Sequence, residues 1–225
     1  QKVFEIEKKL LENRKKRNKP FFDDKSQTDL NSFWICVNFY SSILLEDKVL
    51  YNKSLKSFEN IRRLYENKIF HCYNDNNQID VFLEDYAYFS LLLLTIYEFE
   101  NDKTSLEKCK NLMDDAWNSF FNSKEKVLQK NKIQYNDLFV EPIDINDNNI
   151  PNGNSIYLYI SNKLLNISGD KKWKERIDLL SKSFHSHINS NFSQMFSYIK
   201  ILDICEENIT VTINSKNPEI SKKVK

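Results

Sequence analysis

A chain of 225 residues with 40% apolar and 13% aromatic side chains has material for one large core or two small ones. Its 33 basic and 32 acidic residues leave a net charge of +1, which argues against the large basic face that a nucleic-acid footprint requires. The uninterrupted apolar runs, such as Phe33 to Val37 and Leu91 to Leu94, are far short of the ~20 residues of a membrane span, so neither nucleic acid nor membrane is an expected partner.

Breakers are scarce, with two Gly and four Pro, so Asn, Asp and Ser must make most turns. Apolar periodicity predicts a first helix over about 3–17, closed by Pro20, then helices over about 28–46 and 50–66. A polar loop at 74–77 precedes a fourth helix over about 81–100. Thr104-Ser105-Leu106-Glu107 reads as a capping box opening the fifth, which carries Leu106, Cys109, Met113, Trp117 and Phe120 on one face. The Asp- and Asn-rich stretch 127–150 is expected to be a long loop with a short hairpin. A sixth helix then runs from about Asn154 to a stop at Gly169. The seventh spans about 171–188 and the eighth about 194–205, and Ile209 to Ile213 alternates like a short strand.

These helices alternate in kind. Those starting near Thr28, Val81 and Asn154 are apolar on most sides, whereas the third, fifth and seventh are amphipathic. A helix apolar nearly all round must be covered nearly all round. Inner helices wrapped by outer ones satisfy this, so the expected fold is mainly α, an α/α-hairpin toroid with a short β element. The pattern supplies three hairpins and one further inner helix, an incomplete ring. Its uncovered edges imply self-association or a neighbouring segment that provides the missing barrel half.

Cys36, Cys72, Cys109 and Cys205 form no C-x-x-C pair, so reduced thiols in a cytoplasmic protein are expected, without redox activity. His71-Cys72 is the one close His/Cys pair, and adjacent residues make a poor zinc clip. No metal and no cofactor is therefore expected. Polar residues on inner helices carry more information, because an unpaired buried polar atom costs about 1–3 kcal/mol. Asn31, Asn38 and Ser42 form one stripe on the first inner helix, Asp85 tops the second, and Asn154 opens the third. Helix caps explain each singly, while their recurrence suggests helix starts converging on one mouth.

Three segments resemble one family. Arg14-x-x-Arg17-x-x-Pro20-x-x-Asp23-Asp24-Lys25, followed by Asn31, is similar to R-x-K-R-x-x-P-x-x-D-D-K…W-N, with Leu30 in the tryptophan position. Phe82-Leu83-Glu84-Asp85-Tyr86-Ala87 resembles F-L-[DE]-D-Y-A, and Asp147 to Ser155 resembles D-x-A-x-P-S-G-N-S. The family is the thioredoxin-domain-containing proteins that include the spermatogenesis-associated member. The resemblance implies the later part of an (α/α)6 six-hairpin barrel, 1–225 as one domain, similar to N-acylglucosamine 2-epimerases and six-hairpin glycosidases. The thioredoxin-like domain that such proteins carry ahead of the barrel is absent from these residues.

Two functions follow as expectations. One is a structural or interaction module serving the thioredoxin-like domain. The alternative is a carbohydrate-binding or carbohydrate-active barrel, glycosidase- or epimerase-like. Glycosidase chemistry needs two carboxyls, one acid and one base or nucleophile. Asp24 and Asp85 are the candidate catalytic pair, with Lys25, Asn31, Tyr86 and Asn154 as substrate-binding groups. His71, His185 and His187 fall outside all three motifs, which weighs against an epimerase-like histidine acid/base.

Overall fold

The computed structural model describes residues 2–65, 68–73, 81–132 and 143–206. Helix α1, Lys2–Lys15, buries none of its residues. Three α-hairpins follow, built from α2 (Thr28–Leu44) with α3 (Lys48–Leu64), α4 (Leu83–Glu100) with α5 (Lys103–Phe120), and α6 (Gly153–Ser168) with α7 (Lys171–Asn191). A 3-10 turn at Phe192–Gln194 leads into α8, Phe196–Glu206, which returns to pack on α6. The predicted strand at 209–213 lies outside the described residues.

The inner layer is α2, α4 and α6, with α4 between the other two. Its run of Leu, Tyr and Phe is buried on every side, and Phe89, Leu92 and Leu93 are fully enclosed. On the outer helices burial is confined to one stripe: Ser54, Phe58 and Ile61 on α3, or Leu106, Cys109, Met113 and Phe120 on α5. This is the two-layer arrangement that the alternating apolar pattern requires. Hydrophobic burial at ~25 cal/mol per Å² rewards a central apolar helix only when neighbours enclose it. An outer edge is sewn by Arg176, which lies over Trp117 and Trp173 and forms an ion pair with Asp114 at 2.8 Å.

Local sequence explains the helix ends. Asp47, Asp102, Asn152 and Asp170 cap α3, α5, α6 and α7 through side-chain oxygens. The cap of α5 is thus Asp102 rather than Thr104, because Asp102 already accepts from the Thr104 N–H and the Ser105 hydroxyl. Gly169 closes α6 at φ +68°, the left-handed position that favours glycine. Gly153 has a different reason. A Cβ there would meet Leu83 Cγ at 3.1 Å, so the starts of α4 and α6 approach more closely than a side chain permits.

Two short antiparallel pairs complete the described structure. β1 (Ser26–Gln27) pairs with β2 (Cys72–Tyr73), and β3 (Phe121–Asn122) with β4 (Val127–Leu128). The hairpin thus falls at the very start of the predicted loop, where α5 ends.

Candidate functional site

The site lies where the inner helices begin. Pairing of β1 with β2 places His71 beside the start of α2, and the Thr28 N–H donates to the His71 carbonyl at 2.9 Å. The start of α4 is fixed by a bond from Leu83 N–H to the Lys130 carbonyl at 3.0 Å. The start of α6 is tied in by the Tyr88 hydroxyl, which donates to the Pro151 carbonyl at 2.6 Å. Asp147 holds the loop ahead of α6: Oδ1 accepts from both Asn152 nitrogens, and Oδ2 accepts from the Ser197 N–H at 2.7 Å. These restraints enclose a cleft of about 280 Å³, lined by Asp29, His71, Phe82, Glu84, Lys130, Asp144 and the loop 146–152.

Glu84 and Asp85 are neighbours in the first turn of α4, and successive helical side chains diverge by about 100°. Asp85 therefore turns inward and is wholly buried. Its Oδ2 accepts from the Phe82 N–H at 2.8 Å, half of a capping box, and its Oδ1 lies 3.0 Å from His71 Nδ1. That bond raises the imidazole pKa above its ordinary value against the opposing effect of burial. Burial raises the Asp85 carboxyl, while the His71 and Phe82 donors pull it back.

Glu84 turns toward the cleft. Burial pushes its carboxyl up to about 7, with Lys130 pulling it down and Asp144 and Asp85 adding to the rise. Its Oε2 is buried without a hydrogen-bond partner among the described residues. A carboxyl in that state is half protonated near neutrality, the condition for donating a proton at one moment and accepting one at another. Phe82 supplies an aromatic wall, with the His71 ring edge-on at 4.7 Å and Lys130 Nζ 5.9 Å from its centroid.

The residues singled out from sequence divide into three kinds. Asp24 and Lys25 are exposed on the loop into β1, and Lys25 pairs with Asp23 at 3.1 Å. Asp85 and Asn154 are buried at the starts of α4 and α6. Asn154 is occupied by backbone groups: Nδ2 donates to the Leu128 and Asp144 carbonyls, and Oδ1 accepts from the Leu128 N–H. Asn31 donates to the Gln27 carbonyl at 2.7 Å, and Asn38 and Ser42 likewise bond back to their own helix. The polar stripe on α2 thus satisfies itself. Tyr86 is half-buried against Phe120, ring centroids 5.5 Å apart.

Sequence reasoning missed His71, Asp29, Glu84, Lys130 and Asp144 as members of one cleft. Glu84 was within reach, since it sits in the F-L-E-D-Y-A segment next to Asp85. His71 and Lys130 carry no local signal, because pairing with other segments brings them in.

Comparison with solved structures places this arrangement. The chain superposes on the α-1,6-mannanase GH76A of Salegentibacter sp. HEL1_6 with a TM-score of 0.54 at 12% identity, covering 70% of this chain and 46% of that one. The fold is the (α/α)6 toroid. An inactive variant of the same mannanase, with two adjacent aspartates changed to asparagine and α-1,6-mannotriose bound, gives a TM-score of 0.57 at 14% identity, covering 79% and 52%. This chain spans about half the length of those mannanases and builds the corresponding part of the ring. At such identities the likeness is one of fold, and function must be argued from the site. No protein-family model and no curated protein sequence matches the chain.

Proposed function

We propose that the cleft at the starts of α2, α4 and α6 binds a carbohydrate and acts on its glycosidic bond. The observation that carries the reading is Glu84, which lines an acidic cleft and whose Oε2 is buried without a partner among the described residues. Glycoside hydrolysis needs one carboxyl to protonate the leaving oxygen and a second to act as base or nucleophile. Glu84 takes the first role, and Asp144, lining the same cleft, takes the second. Lys130 and Asn146 supply hydrogen-bond donors for hydroxyls, and Phe82 an apolar wall. The mannotriose bound by a structure of the same fold supports an oligosaccharide as the occupant.

The test is calorimetric titration of the chain with α-1,6-mannotriose and a panel of gluco- and N-acylglucosamine oligomers, followed by chromatography of the products. Glu84→Gln should keep binding and lose product release. Absence of binding across the panel, or undiminished turnover in Glu84→Gln, would rule the reading out.

A second reading has its own support. Two motif residues, Asp85 and Asn154, are spent on holding helix starts together. That is what a non-catalytic toroid would do with them, as an interaction module in a thioredoxin-linked protein of the family that the three motifs resemble.

A further inference from the structure

Asp29 lies in the first turn of α2, His71 just ahead of β2, and Asp85 in the first turn of α4, three segments separated in sequence. Each places a ligand-type atom within 4.8 Å of the other two. We propose that these three side chains form a binding site for a first-row divalent cation of the Zn²⁺ or Mn²⁺ class. The proposal concerns the cation alone and does not rest on the carbohydrate reading.

The donor set is one imidazole nitrogen and two carboxylates. Such a mixed set suits Zn²⁺ or Mn²⁺ better than Ca²⁺, which takes oxygen ligands throughout. Ligands held at ~2.1 Å from one ion in tetrahedral geometry stand roughly 3.4 Å apart. His71 Nδ1 and Asp85 Oδ1, at 3.0 Å, are already near that spacing. Asp29 has Oδ1 on the Leu30 N–H at 2.7 Å, which leaves Oδ2 as its ligand atom. A small turn of this half-buried side chain closes the remaining gap.

The surroundings fit a metal-bound histidine. Such a histidine donates its second ring N–H to an oxygen that fixes the ring. His71 Nε2 lies 3.4 Å from the side-chain amide of Gln27, and turning that amide over presents its oxygen as the acceptor. Asp85 is fixed in turn by the Phe82 N–H. An independent observation is Glu84 Oε2, buried and without a partner in the adjoining cleft. Asp29, Glu84 and Asp144 line that cleft with His71 and Lys130, and Asp29 and His71 share the cation site with Asp85. A dication supplies the positive charge that this excess of carboxylates calls for.

Isothermal titration of the full chain, stripped with EDTA and dialysed, with ZnCl2 and with MnCl2 tests the site, CaCl2 serving as contrast. Saturable one-to-one binding of Zn²⁺ or Mn²⁺ is expected, lost in His71→Ala. Binding should weaken about tenfold in Gln27→Ala, the size of effect usual for an outer-shell partner. His185→Ala, on the exposed face of α7, should bind as the parent does. Should His71→Ala lose its helical circular dichroism, Asp29→Asn decides in its place, with binding weakened more than in Gln27→Ala. No saturable binding by the parent overturns the proposal. So does undiminished binding in the deciding variant, or loss of binding in His185→Ala. The titration contains no sugar, so a failed sugar assay and a failed metal assay are separate results.

Discussion

The two ends of α4 carry the same residue type under opposite conditions. Glu84 and Glu98 stand 14 residues apart, about 21 Å along the helix. At the far end both oxygens of Glu98 are used: Lys163 Nζ lies 3.1 Å from Oε1, and the Tyr40 hydroxyl donates to Oε2 at 3.3 Å. Tyr40 and Tyr159 flank this end of the helix, and burial raises both phenols above their ordinary range. At the near end Glu84 has a buried oxygen without a partner among the described residues, beside a second carboxylate. The far end is satisfied and acts as structure. The near end leaves polar groups unspent, which costs stability and persists in proteins mainly where a ligand completes the site.

Four substitutions break or sharpen that contrast. Asp85→Leu has the largest effect, because it leaves His71 without its partner and removes the acceptor of the Phe82 N–H. A loss of about 3–5 kcal/mol is expected, read from urea denaturation midpoints. A neutral result would mean that the His71–Asp85 pair holds nothing in place.

Glu84→Gln comes next and has the opposite sign. Below the ordinary carboxyl value of 4.5, Glu84 is protonated in both the folded and the unfolded chain. Between 4.5 and about 7 the unfolded chain ionises first, so stability falls across that window and stays low above it. The variant should match the parent at pH 4 and exceed it by about 3 kcal/mol at pH 8, in EDTA. Equal melting curves at both pH values would mean that Glu84 has found a partner.

Lys163→Met probes the satisfied end. The Lys163–Glu98 pair is about one-third exposed on each side, so about 0.5–1 kcal/mol should be lost at pH 7. A loss as large as that of Asp85→Leu would erase the distinction between the ends. Lys25→Ala should leave the melting midpoint unchanged, since both it and Asp23 are exposed. A drop in oligosaccharide affinity in that variant would join the loop to the cleft.

Much of this molecule was written in local sequence. Helix number and kind followed from apolar period and from which faces were polar, because a helix apolar all round has one stable place, between others. Gly169 announced its own cap, since the left-handed turn belongs to few residue types. Asp85 and Asn154 were recognisable as polar atoms on apolar helices.

Their roles were not legible in the sequence. Whether such a group is a cap, an ion-pair partner or a reactive carboxyl depends on what other segments place within 3 Å of it. His71 reaches Asp85 from 14 residues away, and Leu128 reaches Asn154 from 26 residues away. Glu84 differs from its neighbour Asp85 by one step of helical rotation, which decides between a saturated interior and an open cleft. Composition and periodicity determined the layers and their order. Only the packing of helix starts against the β1–β2 pair decided which carboxylate was left unsatisfied, because electrostatic environment is a property of neighbours in space.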